Sequence, residues 1–98
     1  MTFVQLIEFR TSRADELNDL MDQWLRETEG KRTATRAVVM SDRDHPETYV
    51  EMVEFPSYDE AMRNSNLPET GKFAQRITEL CDAPPVFHNL EVVRTQAL

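Results

Sequence analysis

The sequence contains very little cysteine and glycine, and both shortages exclude common kinds of site. Cys81 is its only cysteine, so the chain can form neither an intrachain disulfide nor a cluster of metal-binding thiolates. Glycine occurs only at Gly30 and Gly71, which excludes the glycine-rich loops that bind nucleotide phosphates. The two histidines, His45 and His88, have no second histidine or cysteine at metal-ligand spacing, so we expect no metal site.

Long apolar runs are also missing, and basic residues are outnumbered. The apolar run at the start includes Glu8 and is far too short for a signal sequence or a membrane span, so we expect a cytoplasmic protein. Eleven Lys and Arg residues against eighteen Asp and Glu give a net charge of −7. That balance argues against binding to nucleic acid or to an anionic membrane surface. Nine of the eleven basic residues are arginine, which is typical of a GC-rich bacterial genome.

The 98 residues have the composition of one globular domain. Hydrophobic residues make up 40% and charged residues 30% of the chain, which is enough apolar material for one modest core. There is no internal repeat, low-complexity tract or linker. We therefore predict a single domain over residues 1–98.

Local patterns predict four strands and two helical regions in the order β-α-β-β-α-β. Segments rich in β-branched and aromatic residues predict strands at 3–10, 33–41, 48–55 and 86–94. If both β-α-β units cross over in the right-handed sense, the strands form one four-stranded antiparallel sheet with the helices on one face. The predicted fold class is therefore α+β and ferredoxin-like.

Both helical regions carry recognisable start or stop signals. The first helix has an apolar stripe at helical spacing, formed by Leu17, Leu20, Met21, Trp24 and Leu25. Thr11 or Ser12 is placed to cap its start, and Gly30 to end it. Residues 57–60 have the Ser-x-x-Glu form of a capping box, which predicts the start of the second helical region. The polar residues 64–66 should interrupt that region.

Alternation along the strands makes both faces of the predicted sheet apolar. The helix-facing set comprises Phe3, Ile7, Phe9, Tyr49, Val53 and Phe55. The opposite set comprises Val4, Leu6, Val38, Met40, Val50 and Met52. Because the helices can cover only one face, and monomers rarely expose a large apolar patch, we predict a homodimer in which two sheets close a barrel. The alternative is a monomer whose second face is wetted and mixed, with Glu8, Arg10 and Glu54 upon it.

Two polar residues, Gln5 and Glu51, interrupt the helix-facing apolar set on the two central strands. They are predicted to face one cleft, where a buried carboxylate would have a raised pKa and could act as a general base. His88 on the last strand is a third candidate for a catalytic role. The alternative interpretation is structural: Glu51 reaches solvent or pairs with an arginine while Gln5 bonds to it, and His88 is a satisfied core or interface residue.

Aromatic side chains supply the candidates for binding a ring-shaped ligand. They are Trp24, Tyr49, Phe55, Tyr58 and Phe73. Core packing accounts for most of these aromatic residues equally well.

Residues 53–61, Val-Glu-Phe-Pro-Ser-Tyr-Asp-Glu-Ala, carry a resemblance to a known family. A strand that ends in Glu-aromatic, followed by Ser and then by Ala on a helix, resembles the antibiotic-biosynthesis-monooxygenase-like domains of the dimeric α+β-barrel superfamily. The first strand with Glu16 and Leu17 after it is similar as well, so the resemblance extends over nearly the whole chain. It implies the dimeric α+β-barrel fold.

The resemblance also implies which cofactors to expect. Some members of the family are cofactor-free oxygenases of polyketide quinone biosynthesis, and others degrade haem with an Asn, a Trp and a His. Those three positions correspond here to Gln5, Phe55 and Asn64, so the axial histidine is missing and we expect no haem and no other cofactor. Asn64 joins the candidates for substrate binding.

Two functional hypotheses therefore stand. The first is a cofactor-independent monooxygenase-like enzyme that acts on a small aromatic or polyketide-like molecule, with Gln5 binding a substrate oxygen and Glu51 accepting a proton. The second is a non-catalytic module that binds a small ligand or forms a dimeric interaction unit. An open cleft reached by Gln5 and Glu51 would favour the enzyme, whereas a closed and wholly apolar pocket would favour the binding module.

Overall fold

The computed structural model describes residues 2–98 and has the element order predicted above. The strands are β1 (Phe3–Arg10), β2 (Arg36–Ser41), β3 (Thr48–Phe55) and β4 (Val86–Glu91). The helices are α1 (Ala14–Glu27), α2 (Tyr58–Ser65) and α3 (Pro68–Leu80). The strands form one antiparallel sheet in the order β2-β3-β1-β4, with β1 and β3 at its centre. The ferredoxin-like α+β fold is thus confirmed.

The helix signals differ in how well they predicted the structure. Ser57 caps α2 as expected: its hydroxyl accepts a hydrogen bond from the backbone N–H of Glu60 at 3.2 Å. Asn66 ends α2 and Pro68 starts α3, which confirms the predicted interruption. Gly30 lies beyond the end of α1 in the left-handed region, at φ +80°, where a residue without Cβ is least strained.

Neither Thr11 nor Ser12 caps α1, and that prediction was wrong. The residue before α1 is Arg13, which has no side-chain cap. The hydroxyl of Thr11 instead accepts a hydrogen bond from the backbone N–H of Arg13 at 3.0 Å and donates one to the carbonyl of Leu80 at 2.7 Å. Thr11 is 1% exposed, so this pair of bonds ties the entrance of α1 to the last turn of α3 in a dry environment.

Two strands are shorter than predicted. Thr33 lies outside β2 because it bonds to α2 instead: its N–H donates to the side-chain oxygen of Asn64 and its hydroxyl to the carbonyl of Glu60. β4 ends at Glu91, before the predicted end at Arg94. The sheet is therefore two full-length central strands flanked by two six-residue edge strands.

The helices attach to the sheet at its two ends. At one end Phe3 and Phe55 pack with Ala61 of α2. At the other end Phe9 packs with Leu17 of α1 and Ile77 of α3. These two buried clusters are separate, so the middle of the helix-facing side is left without a packed core. Within residues 2–98, none of the helices has the length and apolar character needed to cross a membrane.

The two hydrogen bonds of Thr11 generate a prediction about stability. The isosteric change Thr11→Val leaves the Arg13 N–H and the Leu80 carbonyl without their partner, so we expect the free energy of unfolding to fall by about 1–3 kcal/mol. Ser12→Ala, one residue along and exposed, is the control and should change stability by less than about 0.5 kcal/mol. Urea denaturation followed by circular dichroism measures both. Equal losses for the two variants would contradict a special role for Thr11.

Candidate functional site

A cavity of about 390 Å³ lies between the middle of the sheet and the helices. Most of its lining is apolar, and the polar or charged side chains on it are few. Some lining residues, among them Leu25, Ala37 and Phe87, are exposed, so the cavity opens to solvent. Its position follows from the packing: the two core clusters hold the helices at the ends of the sheet and leave this space between them.

Glu51 is the buried carboxylate of the cavity. It lies in the middle of β3, and its cross-strand neighbours are Ile7 on β1 and Val39 on β2. Its residue exposure is 6%, and burial raises the pKa of its carboxyl from 4.5 to about 7. Nothing within residues 2–98 offsets that burial, because neither a cation nor a hydrogen-bond donor lowers the pKa. The structural alternative for Glu51 included an ion pair with an arginine, and the described part of the chain does not contain that ion pair.

Gln5 lines the same cavity from the neighbouring strand β1. It stands opposite Val53, one step along the helix-facing side from the pair of Ile7 and Glu51. Its amide nitrogen donates to the side-chain oxygen of Asn89 at 3.4 Å, which is long for a hydrogen bond of this kind. A weak bond of this length can be exchanged for one to a ligand at little cost.

Asn64 is buried at 5% exposure on α2 and also lines the cavity. Its side-chain oxygen accepts the backbone N–H of Thr33 at 3.2 Å. Because an N–H can donate only to the oxygen, this bond fixes which way the amide is turned. The amide nitrogen makes no hydrogen bond within residues 2–98, so it is a donor that is available to a ligand in the cavity.

Trp24 and Phe73 form the aromatic wall on the helix side. Their rings stack with centroids 5.7 Å apart, and the indole N–H of Trp24 donates to the hydroxyl of Thr70 at 3.0 Å. The guanidinium carbon of Arg32 lies 5.7 Å from the centre of the Trp24 ring. This wall connects α1 to the first turns of α3 and presents flat aromatic surface to the cavity.

The structure does not bring all the sequence candidates together. Gln5, Glu51, Trp24, Phe55, Asn64 and Phe73 line the cavity. His88 pairs with Leu6 on the other face of the sheet, where its Nε2 lies 2.9 Å from a carboxylate oxygen of Glu8. Tyr49 is on the helix-facing side, but it stacks on Phe9 in the core at the far end. His88 lies outside the cavity because strand alternation places it on the other face of the sheet. Tyr49 lies outside it because it is too far along β3.

Tyr58 also lies outside the cavity, because its ring packs edge-on against Phe3. The main residue that the sequence reasoning missed is Arg32. It follows the turn that contains Gly30, and such a turn brings the chain back beside the last turn of α1, where Trp24 lies. The position of Arg32 beside Trp24 could therefore have been inferred from the sequence. Within residues 2–98, no group of three or more His, Cys, Asp or Glu side chains is placed to hold a metal ion.

Solved structures share this architecture, although neither a protein-family model nor a curated protein matches the sequence. SnoaB, a cofactor-independent oxygenase from Streptomyces nogalater, superposes with a TM-score of 0.80 over 96% of this chain and 95% of its own, at 14% identity. An antibiotic biosynthesis monooxygenase structure gives a TM-score of 0.74 over 96% of this chain and all of its own, at 15% identity.

A third structure, Rv0793 from Mycobacterium tuberculosis, gives a TM-score of 0.79 over 99% of this chain and 100% of its own, at 13% identity. The resemblance drawn from residues 53–61 is therefore confirmed at the level of the fold: this chain has the antibiotic-biosynthesis-monooxygenase-like fold. Identities this low establish the architecture and leave the chemistry to be argued from the cavity.

The raised pKa of Glu51 generates a prediction about stability and pH. A carboxyl whose pKa is higher in the folded state opposes folding when it ionises, so the loss begins above pH 4.5 and is nearly complete by about pH 7. A shift from 4.5 to about 7 corresponds to roughly 3 kcal/mol. We therefore expect Glu51→Gln to match the wild type near pH 4 and to exceed its free energy of unfolding by up to roughly 3 kcal/mol at pH 8.

Denaturant titrations at a series of pH values measure this difference. Glu79→Gln, which removes an exposed carboxyl from α3, is the matched control and should show no such divergence. A difference between wild type and Glu51→Gln that stays flat from pH 4 to pH 8 would show that the carboxyl of Glu51 is not raised.

Proposed function

We propose that this chain is a cofactor-independent monooxygenase-like enzyme that acts on a small aromatic or polyketide-like molecule in the cavity. One observation carries the proposal: a buried carboxylate without a partner lies in an apolar, aromatic-walled cavity that opens to solvent. Such a group destabilises the fold at neutral pH, and perturbed carboxylates of this kind are concentrated at functional sites. The similarity in fold to a cofactor-independent oxygenase supports the reaction class.

Glu51 acts as the general base in this proposal. A pKa of about 7 leaves a substantial fraction of the carboxylate ionised at neutral pH and makes it basic enough to remove a proton from a weakly acidic carbon or phenol. The charged side chains on the lining are Glu51, Arg32 and Arg36. The apolar surroundings of Glu51 favour transfer of its negative charge to a larger, delocalised enolate.

The amides of Gln5 and Asn64 hold the oxygen on which that charge develops. Asn64 is the better positioned donor because the bond from Thr33 fixes its orientation before a ligand binds. Gln5 lies on the strand next to Glu51 and is released by giving up its long bond to Asn89. The ring of the substrate packs against Trp24 and Phe73.

The substrate itself supplies the electrons for oxygen. For an aromatic ketone with an acidic methylene group, loss of a proton to Glu51 gives an enolate that reduces dioxygen to a peroxide at that carbon. Glu51 returns the proton to this peroxide, and loss of water from the resulting hydroperoxide leaves a carbonyl group. One oxygen atom of O₂ enters the product and the other leaves as water, so the methylene carbon is oxidised and no external reductant is consumed.

The opposite face of the sheet supports a second part of the proposal, a homodimer. That face carries apolar residues on all four strands, and three of them are conspicuously exposed: Met40 at 43%, Val86 at 51% and Leu90 at 44%. We propose that a second copy covers this face, because two equal apolar patches can bury each other about a two-fold axis. The pair of His88 and Glu8 lies among these residues and supplies opposite charges when His88 is protonated.

The enzymatic role is tested by oxygen consumption with anthrone, a three-ring aromatic ketone with an acidic methylene group. We expect the wild type to accelerate consumption and Glu51→Gln to lower kcat by about 10²–10⁴-fold, because removal of a general base has that effect. Glu79→Gln, with its exposed carboxyl, is the control and should retain full activity.

Three outcomes distinguish the hypotheses. Turnover that depends on Glu51 supports the enzyme. Binding of anthrone with no oxygen consumption by the wild type would overturn the enzymatic role in favour of the non-catalytic binding module. Turnover that survives in Glu51→Gln would remove Glu51 from the mechanism.

The homodimer is tested by light scattering coupled to size-exclusion chromatography. Met52→Glu places a charge at the centre of the apolar face, opposite Leu6 and Val38, so we expect the dimer dissociation constant to rise at least about 100-fold. Gln75→Glu adds the same charge on the exposed side of α3 and should leave the dimer intact. A wild type that is monomeric at micromolar concentration would contradict this part of the proposal.

A further inference from the structure

Arg32 stands out among the charged side chains of the cavity. The other cation on the lining, Arg36, has its guanidinium Nε 3.9 Å from a carboxylate oxygen of Glu54, which lies on the opposite face of the sheet. Arg32 forms no salt bridge within residues 2–98. The chain has a net charge of −7, so its carboxylates outnumber its basic groups. An arginine that lines the cavity and has no carboxylate partner is therefore conspicuous.

The position of Arg32 is fixed by the turn after α1. Thr28 ends the helix, and its carbonyl accepts the backbone N–H of both Lys31 and Arg32 at 2.9 Å. One guanidinium nitrogen of Arg32, Nη1, donates to the carbonyl of Leu25 at 3.0 Å and to the hydroxyl of Thr28 at 3.2 Å. Its guanidinium carbon also lies 5.7 Å from the centre of the Trp24 ring, within the range of a cation–π contact. The side chain is thus held in place before a ligand arrives.

These contacts use only part of the guanidinium. Nε and Nη2 make no hydrogen bond within residues 2–98, although Arg32 lines the cavity. Two parallel N–H donors at one edge of a guanidinium match the two oxygens of a carboxylate. Of the two lining arginines, Arg36 approaches Glu54, so Arg32 is the one without a carboxylate partner. One such guanidinium balances one negative charge, which suits a carboxylate better than a doubly charged phosphate.

We infer that the ligand of this cavity is an aromatic or polyketide-like carboxylate, and that Arg32 is the residue that recognises its carboxylate group. Trp24 and Phe73 contact the ring while Arg32, which lies beside Trp24, binds the acidic substituent. The inference rests on the cavity being the binding site proposed above. It does not depend on Glu51 acting as a base.

The experiment compares two probes of nearly identical shape, 2-naphthoate and 2-naphthamide, by isothermal titration calorimetry. A hydrogen-bonded pair that involves a charged group contributes about 1.5–3 kcal/mol, so the wild type should bind naphthoate about 10–100-fold more tightly than naphthamide. In Arg32→Gln that preference should vanish while the affinity for naphthamide stays within about twofold, which also shows that the variant is folded. Arg32→Lys keeps the charge without the fork and should retain part of the preference.

Arg36→Gln is the matched control, because it removes a lining arginine whose guanidinium approaches Glu54, and it should keep the full preference. Equal affinities of the two probes for the wild type, or a preference that survives in Arg32→Gln, would overturn the inference. Failure of both probes to bind at concentrations up to roughly 1 mM would overturn it too.

The enzymatic proposal is judged separately. Glu51→Gln is expected to keep the preference for naphthoate while losing oxygen consumption, since Arg32 is unaltered in that variant. A preference for naphthoate in a protein without turnover supports carboxylate recognition and removes the enzyme. Turnover of anthrone by a wild type that binds both probes equally well supports the enzyme and removes carboxylate recognition by Arg32.

Discussion

The pairing of β1 with β3 determines where the rest of the molecule can pack. In this register Phe3 stands opposite Phe55 at one end of the central pair, and Phe9 stands opposite Tyr49 at the other. The large aromatic residues are therefore concentrated at the ends, and the helices are held there because that is where they can bury the most apolar surface. On β1 and β3, the helix-facing rows between these ends carry smaller or polar side chains. A cavity in the middle is the geometric consequence of helices fixed at both ends.

Glu51 lies in that middle region, where it opposes folding. A carboxylate flanked by Ile7 and Val39 loses its hydration and gains no hydrogen bond or cation within residues 2–98 in return. An apolar residue at this position would pack against the same neighbours without that cost. The fold tolerates the penalty because the two aromatic clusters stabilise the domain independently of the middle. The side chains that stabilise the fold and the proposed catalytic carboxylate thus lie in different rows of one sheet. This separation lets a domain of this size carry a destabilising group.

Strand alternation is the part of the sequence that predicted the most. A period of two assigns each strand residue to a face without any knowledge of loops, and it placed Gln5 and Glu51 correctly on the helix-facing side. The features that escaped prediction depend on tertiary hydrogen bonds. The hydroxyl of Thr11 bonds to the end of α3, 69 residues away, and the orientation of Asn64 depends on Thr33. Local capping rules compare only neighbours in sequence, so they assigned Thr11 to its own helix.

The two faces of the sheet are separated by a single residue of register. Val50 and Met52 belong to the apolar outer face, and Glu51 between them belongs to the cavity. A slip of one residue along β3 would take Tyr49 and Phe55 away from the helices and bring Glu54 towards them, so the burial in the two core clusters opposes it. A second copy on the outer face would add to this constraint, because every contact to Val50 or Met52 also holds the backbone on each side of Glu51. In the proposed dimer, assembly would therefore hold fixed the strand that carries Glu51, the proposed base, even if the partner contributes no side chain to the cavity.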